Sequence, residues 1–246
     1  MDDAEIVFQV QTPLDRKTIS RHIRHAYALG HPHALGEPQS LSVIANGPSA
    51  RQAPQDGPVL ALNGALKFVR EPDFYACCDP QGLVADFLEA PPKKTTYYIA
   101  SKCHPKVFAR LIGRDIRLWD IDDYVAGGIP SAPSITIVAL YLMARIGWRV
   151  FDVWGWDCCF GSRGEHHAAD QPFQGERITN DVGGRIFETT TTWAAEAQSA
   201  VIAVSLLEYF GVEVRIHGDG MLRAVIELAK SPTATTAKGP RGRGSP

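Results

Sequence analysis

The chain has 246 residues, 45% of them hydrophobic, which is long enough to bury one sizeable core. A formal charge of −2 and a pI near 6.4 give no electrostatic ground for a nucleic-acid partner, and no run of about 18 apolar residues marks a membrane span. The five cysteines (Cys77, Cys78, Cys103, Cys158, Cys159) show no CxxC spacing, so neither a zinc knuckle nor a secreted disulfide framework is expected.

The opening MDDAEIVFQV is acidic and lacks the basic-then-apolar order of a signal peptide. A cytoplasmic protein with reduced, buried thiols is therefore expected. Residues 1–40 read as an N-terminal helical extension, in which Asp15 caps a helix over 16–29 and Gly30 stops it. From Leu41 the chain alternates. Apolar β-type runs lie at 41–45, 58–62, 73–78, 95–100, 115–119, 149–155 and 212–217, and helical stretches at 64–70, 81–89, 104–112, 132–146 and 188–210. That order predicts an α/β fold, a Rossmann-like and mostly parallel sheet with helices on both faces, as a single domain over 41–230. VIA, VLAL and VFDVW lack strict polar alternation, as strands covered on both faces do. From Ser231 to 246 the tail is rich in Pro, Gly and Thr and is expected to be disordered.

Ligands of such sheets sit beyond the carboxyl ends of the strands, and polar residues or glycine fall at nearly every one. The first run ends in Asn46-Gly47-Pro48-Ser49, a turn whose backbone N–H groups suit a phosphate when a helix follows. The second ends in Asn63-Gly64. The carboxamides of Asn46 and Asn63 suit ribose hydroxyls, phosphate or a base edge, although Asn-Gly is equally a favoured turn pair. At the third, Asp79 before Pro80 either holds a metal ion, orients a hydroxyl or caps the next helix. The fourth, fifth and sixth end at Ser101-Lys102, at Asp120, and at Gly155 to Asp157.

The glycine-rich loop GGIPSAPS (127–134) opens a helix that is apolar nearly all round, which makes a second anion or nucleotide site. Ser134 either contacts that ligand or caps the helix. Asp157 ends the sixth strand, and the polar loop after it carries Glu165, His166 and His167. Histidine is the usual general base near neutral pH, and an aspartate can orient or ionise it. Asp157, His166 and His167 could ligate a metal, but their spacing is not diagnostic and no metal site is expected. Gly183-Gly184-Arg185 stands before Thr189 to Thr192, which cap and start the last long helix with Glu196 near its first turn, or else close over a ligand together with Arg185. The preceding loop of about 25 residues has the length of a lid or binding loop.

NGPS after the first strand, LNGAL after the second, CDP after the third, the glycine loop entering ALYLMARIGWRVFDVWGWDCCF, and GGRIFETTTTW before a helix occur here in family order over residues 40–217. Together they resemble the Rossmann-like family that joins MptE-type 6-hydroxymethylpterin diphosphokinases to the motility-accessory-factor glycosyltransferases. The CMP-sialic-acid-dependent bacterial sialyltransferases are a more distant likeness. The diphosphokinase branch carries a paired-acid turn of the type Asp-x-Asp-Gly, where this chain has Cys78-Asp79-Pro80-Gln81, and a histidine-rich turn that Ser101-Lys102-Cys103-His104 echoes only in part. The single-acid turn and the strand ending GWD look more like the motility-factor and sialyltransferase side.

That resemblance implies a transferase using a CMP-activated, sialic-acid-like sugar donor. Asn46, Gly47, Pro48, Ser49, Asn63, Gly64, Asp79 and Ser134 would bind the nucleotide, and Asp157 with His166 or His167 would act near the transferred sugar. No cofactor is required in this reading. The acceptor would be a small molecule, a glycan or a protein, and a homo-oligomer stays open. The alternatives are an ATP-dependent diphosphokinase, with Mg²⁺ held by Asp79 and Asp157, and a non-catalytic nucleotide-binding protein.

Overall fold

The computed structural model describes residues 40–123, 127–168 and 175–231. The expected helical extension over 1–39 and the tail over 232–246 lie outside the described residues. Among the described residues nine strands follow in chain order: β1 (Leu41–Ile44), β2 (Val59–Leu62), β3 (Phe74–Cys77), β4 (Thr96–Ala100), β5 (Asp115–Trp119), β6 (Val150–Trp154), β7 (Ile178–Val182), β8 (Arg185–Thr189) and β9 (Glu213–Ile216). Seven of them form one sheet in the order β5-β4-β3-β2-β1-β6-β9, and every neighbouring pair is parallel. The strand order reverses between β1 and β6. In an open α/β sheet, the crevice beyond such a reversal is where ligands bind.

Among the described residues four α-helices cover the sheet: α1 (Pro105–Arg110), α2 (Ile135–Ile146), α3 (Thr191–Tyr209) and α4 (Met221–Lys230). Leu41 and Val43 of β1, with Phe151 and Val153 of β6, face α2, α3 and α4 across one core. Ile44, Ala61, Tyr75, Tyr97 and Ile99 face the opposite side, where α1 and three 3-10 turns (Pro48–Gln52, Asn63–Lys67, Gly82–Leu88) pack. Both faces of the central strands are thus buried, which is why their sequences show no polar alternation. α2 sends residues into both cores, and that accounts for its being apolar nearly all round. Among the described residues no helix is long and apolar enough to cross a membrane.

Three expectations need correction. The helical stretches at 64–70 and 81–89 are short 3-10 turns. The helix expected from 188 starts at Thr191, because residues up to Thr189 belong to an antiparallel hairpin of β7 and β8. Gly183 and Gly184, with φ of 62° and 84°, form its two-residue turn, a conformation that favours glycine at both positions. Helix α4 was not expected at all. Its buried Met221, Leu222, Ala224 and Ile226 seal the core beside the hairpin.

Candidate active site

A cleft of about 430 Å³ opens at the carboxyl ends of β1, β2, β3 and β6. Of the residues singled out from sequence, Asn46, Gly47, Asn63, Asp79, Ser134, Asp157, His166 and His167 line it. Pro48, Ser49 and Gly64 do not.

The floor is built by the meeting of two strand-end loops. Gly47 N–H donates to the Gly155 carbonyl at 2.7 Å, and Ser49 N–H donates to Asp157 Oδ2 at 2.9 Å. The Ser49 hydroxyl accepts from Gly155 N–H at 2.9 Å. Ser49 and Asp157 are both buried. Burial pushes the Asp157 carboxyl above its ordinary value, and the hydrogen bonds from Ser49 oppose that rise. Asp157 is further enclosed by backbone: a Cβ on Gly220 would fall 2.6 Å from its Cα, and one on Gly218 would fall 3.1 Å from its Oδ1. Its neighbour Cys158 holds φ of 55°, and Thr189 Oγ1 donates to the Cys158 carbonyl at 2.6 Å. All five cysteines are free.

Above that floor, the Oδ1 atoms of Asn46 and Asn63 are buried and find no hydrogen-bond partner among the described residues. A buried acceptor left unpaired is costly, so two of them lining one cleft point to a ligand that donates. Asn63 has φ of 45°, a left-handed conformation that asparagine tolerates better than most residues. Asp79 Oδ1 accepts from Gln81 N–H at 2.8 Å, the turn-capping role, while the residue also lines the cleft. Ser134 does the same double duty: its hydroxyl caps α2 by accepting from Thr136 N–H at 3.1 Å, and its side chain bonds Glu196.

The wall formed by α3 brings Trp193 and Glu196, whose place in the cleft the sequence did not reveal. Thr190 caps the helix through Trp193 N–H at 3.1 Å, and Glu196 turns inward to accept from Trp156 Nε1 at 2.6 Å. Burial raises the Glu196 carboxyl, with the hydrogen bonds from Ser134 and Trp156 working against it. Glu196 shares a stripe with buried Ala197 and Ala200, and a carboxylate on an apolar stripe is the signal that could have found it. Lys102, from the turn after β4, is the only lysine or arginine among the described lining residues.

The histidine pair closes the cleft. Ala168 N–H donates to the Asn46 carbonyl at 2.7 Å, and Arg51 Nε donates to the Ala168 carbonyl at 2.6 Å, which ties the loop to the β1 end. His166 and His167 meet through their Nδ1 atoms, with rings at 89° and centroids 4.6 Å apart. Burial, helped by the charge His166 would carry, lowers the His167 pKa to about 4, so its ring is neutral at pH 7. Arg185, by contrast, pairs with Asp219 at 2.8 Å and lies over Phe187 outside the cleft. The chemistry gathered here is a polar cleft that holds two buried acceptors, on Asn46 and Asn63, unpaired among the described residues, together with a histidine pair whose His167 ring is neutral at pH 7.

No family model matches the chain, and no curated protein matches it in sequence. Among solved structures it is similar to a Maf glycosyltransferase from Magnetospirillum magneticum AMB-1, with a TM-score of 0.53 at 12% identity over 81% of this chain. This chain spans 38% of that protein's length. The likeness is one of fold, a Rossmann-like α/β domain.

Proposed function

We propose that the protein is a glycosyltransferase that takes an acidic, sialic-acid-like sugar from a CMP donor. The observation that carries this reading is the pair of buried Oδ1 atoms of Asn46 and Asn63, unpaired among the described residues, in the same cleft as a histidine pair whose His167 ring is neutral at pH 7. Ribose hydroxyls or the exocyclic amine of cytosine would satisfy both acceptors. Lys102, the only lysine or arginine among the described lining residues, suits a monophosphate donor better than a more highly charged di- or triphosphate. The motif resemblance and the likeness of fold to a Maf glycosyltransferase point the same way.

In this reading His167 takes the proton of the acceptor hydroxyl as its oxygen bonds to the anomeric carbon. The bond from that carbon to the phosphate oxygen breaks, and its electron pair leaves with CMP. The amino end of α2, which lines the cleft at Ser134 and Thr136, favours the charge that develops on the departing phosphate. Asp157 acts as the brace that holds the β1 and β6 loops together, and no cofactor takes part.

A thermal-shift panel of CMP, CDP, UDP, GDP and ATP, each with and without Mg²⁺, tests the reading. A ligand at 100 times its Kd stabilises by about 2.7 kcal/mol. Selective, metal-independent stabilisation by CMP, followed by CMP release from a CMP-sugar, is the expected result. Stabilisation by ATP only with Mg²⁺ would replace it with the diphosphokinase, Asp79 and Asp157 then holding the metal. Binding without turnover of any donor would leave a nucleotide-binding protein.

A further inference from the structure

We propose that His166 is a positioning residue that fixes His167 in the tautomer whose Nε2 accepts a proton, the two rings forming a His–His dyad through their Nδ1 atoms. The inference rests on the proposed function for the use of that base, but the dyad itself is a property of the chain alone. The two Nδ1 atoms are in hydrogen-bond contact. A single proton can sit between them. The ring that donates it carries Nδ1–H and leaves its Nε2 bare; the ring that accepts it carries Nε2–H. The contact therefore forces the two neutral imidazoles into opposite tautomers, one a base and the other a donor at the outer nitrogen.

The surroundings assign the roles. His166 stands edge-on to Phe160, with ring centroids 6.4 Å apart. Phe160 is itself tied to the hairpin by its N–H bond to the Glu188 carbonyl at 2.9 Å and by Arg177 over its ring at 4.1 Å. His166 is thus the ring backed by a fixed support. His167 instead stands edge-on to Trp193 of α3, at 6.2 Å, on the wall that also carries Glu196. His167, the ring against the α3 wall, takes the role of base; its Nδ1–H donates to His166 Nδ1.

The arrangement resembles an aspartate–histidine pair with the anion replaced by a neutral ring. A carboxylate in that place would orient the imidazole and also raise its basicity. A second imidazole orients it without doing so, in keeping with a His167 that stays neutral well below pH 7. The charged groups that face the same cleft are Asp79 after β3, Lys102 after β4, Asp157 after β6 and Glu196 on α3. When His167 Nε2 takes the acceptor's proton, its Nδ1–H stays in place and the bond to His166 strengthens as the ring becomes cationic. Water then removes the proton from Nε2.

The test uses the full chain labelled with ¹⁵N-histidine, at pH 7 and without any donor. Long-range ¹H–¹⁵N correlation spectra should show His167 protonated at Nδ1 and His166 at Nε2. His166→Ala should return His167 to the Nε2–H form favoured in water, and His166→Asn, whose Oδ1 replaces the lost acceptor, should keep the Nδ1–H form. Two Nε2–H rings in the unaltered protein, or no change at His167 in His166→Ala, would overturn the dyad. With CMP-sugar, His166→Ala should lower kcat about tenfold or more with KM unchanged, and His166→Asn should recover most of it. His166→Asp should move the acid limb of the pH–rate profile upward by about one unit. Failure of CMP to bind would remove the glycosyltransferase reading while leaving the tautomer result intact, so the two failures are distinguishable.

Discussion

A Cβ on Gly47 would fall 2.4 Å from Asp157 Oδ2 and 2.6 Å from the Gly155 carbonyl oxygen. Gly47 itself has φ of −67°, so space and not backbone conformation demands glycine there. This contact lets the β1 loop seat against the β6 loop at the point where the strand order reverses. Gly47→Ala should therefore destabilise the fold by about 1–3 kcal/mol, because backbone and a buried carboxylate must both shift. Urea unfolding measures this, and a midpoint equal to that of the unaltered protein would contradict it.

Asn46→Ala should separate ligand binding from stability. The Asn46 Oδ1 is buried without a partner among the described residues, so its removal relieves an unmet cost in the free protein. The variant should unfold no earlier than the unaltered chain. Its affinity for CMP should nevertheless fall by about 3- to 10-fold, the worth of one hydrogen bond. Calorimetric titration against unfolding curves checks both signs.

The parallel sheet was legible because each central strand is a short apolar run ending in Asn, Asp or Gly. For the same reason Asn46, Gly47, Asn63, Asp79 and Asp157 lie in one cleft, since a parallel sheet delivers its strand ends to one side. The hairpin was hidden because Asn180 and Asp181 make β7 polar, although Gly183-Gly184 was a turn signal. Helix α4 was passed over although its buried positions, Met221, Leu222, Ala224 and Ile226, repeat at helical spacing. Glu196 and Trp156 are 40 residues apart in sequence, and nothing local says that the roll of α3 will bring them together. The Nδ1 contact of His166 and His167 depends on how residues 166–168 dock on Asn46, again a tertiary matter.

Glu196→Gln should gain stability relative to the unaltered chain as pH rises. Burial raises the folded-state pKa of Glu196 above its ordinary 4.5. Stability from such a group is full below 4.5 and is lost as pH climbs through the raised value. Glutamine never ionises and still accepts from Trp156 Nε1. The difference in unfolding free energy between variant and unaltered chain should therefore be more favourable to the variant at pH 7 than at pH 4. A difference that is flat with pH would show that Glu196 titrates normally.

His167 works in the opposite sense. Its folded pKa of about 4 lies below the ordinary 6.5, so the folded chain resists protonation that the unfolded chain accepts. The stability it supports is complete above pH 6.5 and is lost as pH falls toward 4. His167→Asn should remove that part of the acid sensitivity, and unfolding curves at half-unit steps from pH 7 to pH 4 would reveal it.

Lys102 is the only lysine or arginine among the described residues that line the cleft, so it should read the charge of the ligand and not its base. Lys102→Gln keeps the length of the side chain close and removes the charge. A charged hydrogen bond contributes about 1.5–3 kcal/mol, so CMP affinity should fall at least tenfold while cytidine affinity barely changes. The residual CMP binding of the variant should also lose most of its dependence on salt, since screening acts on the charge pair that has been removed. Equal loss for cytidine and CMP would mean that Lys102 shapes the base pocket, and the amino end of α2 would then hold the phosphate without it.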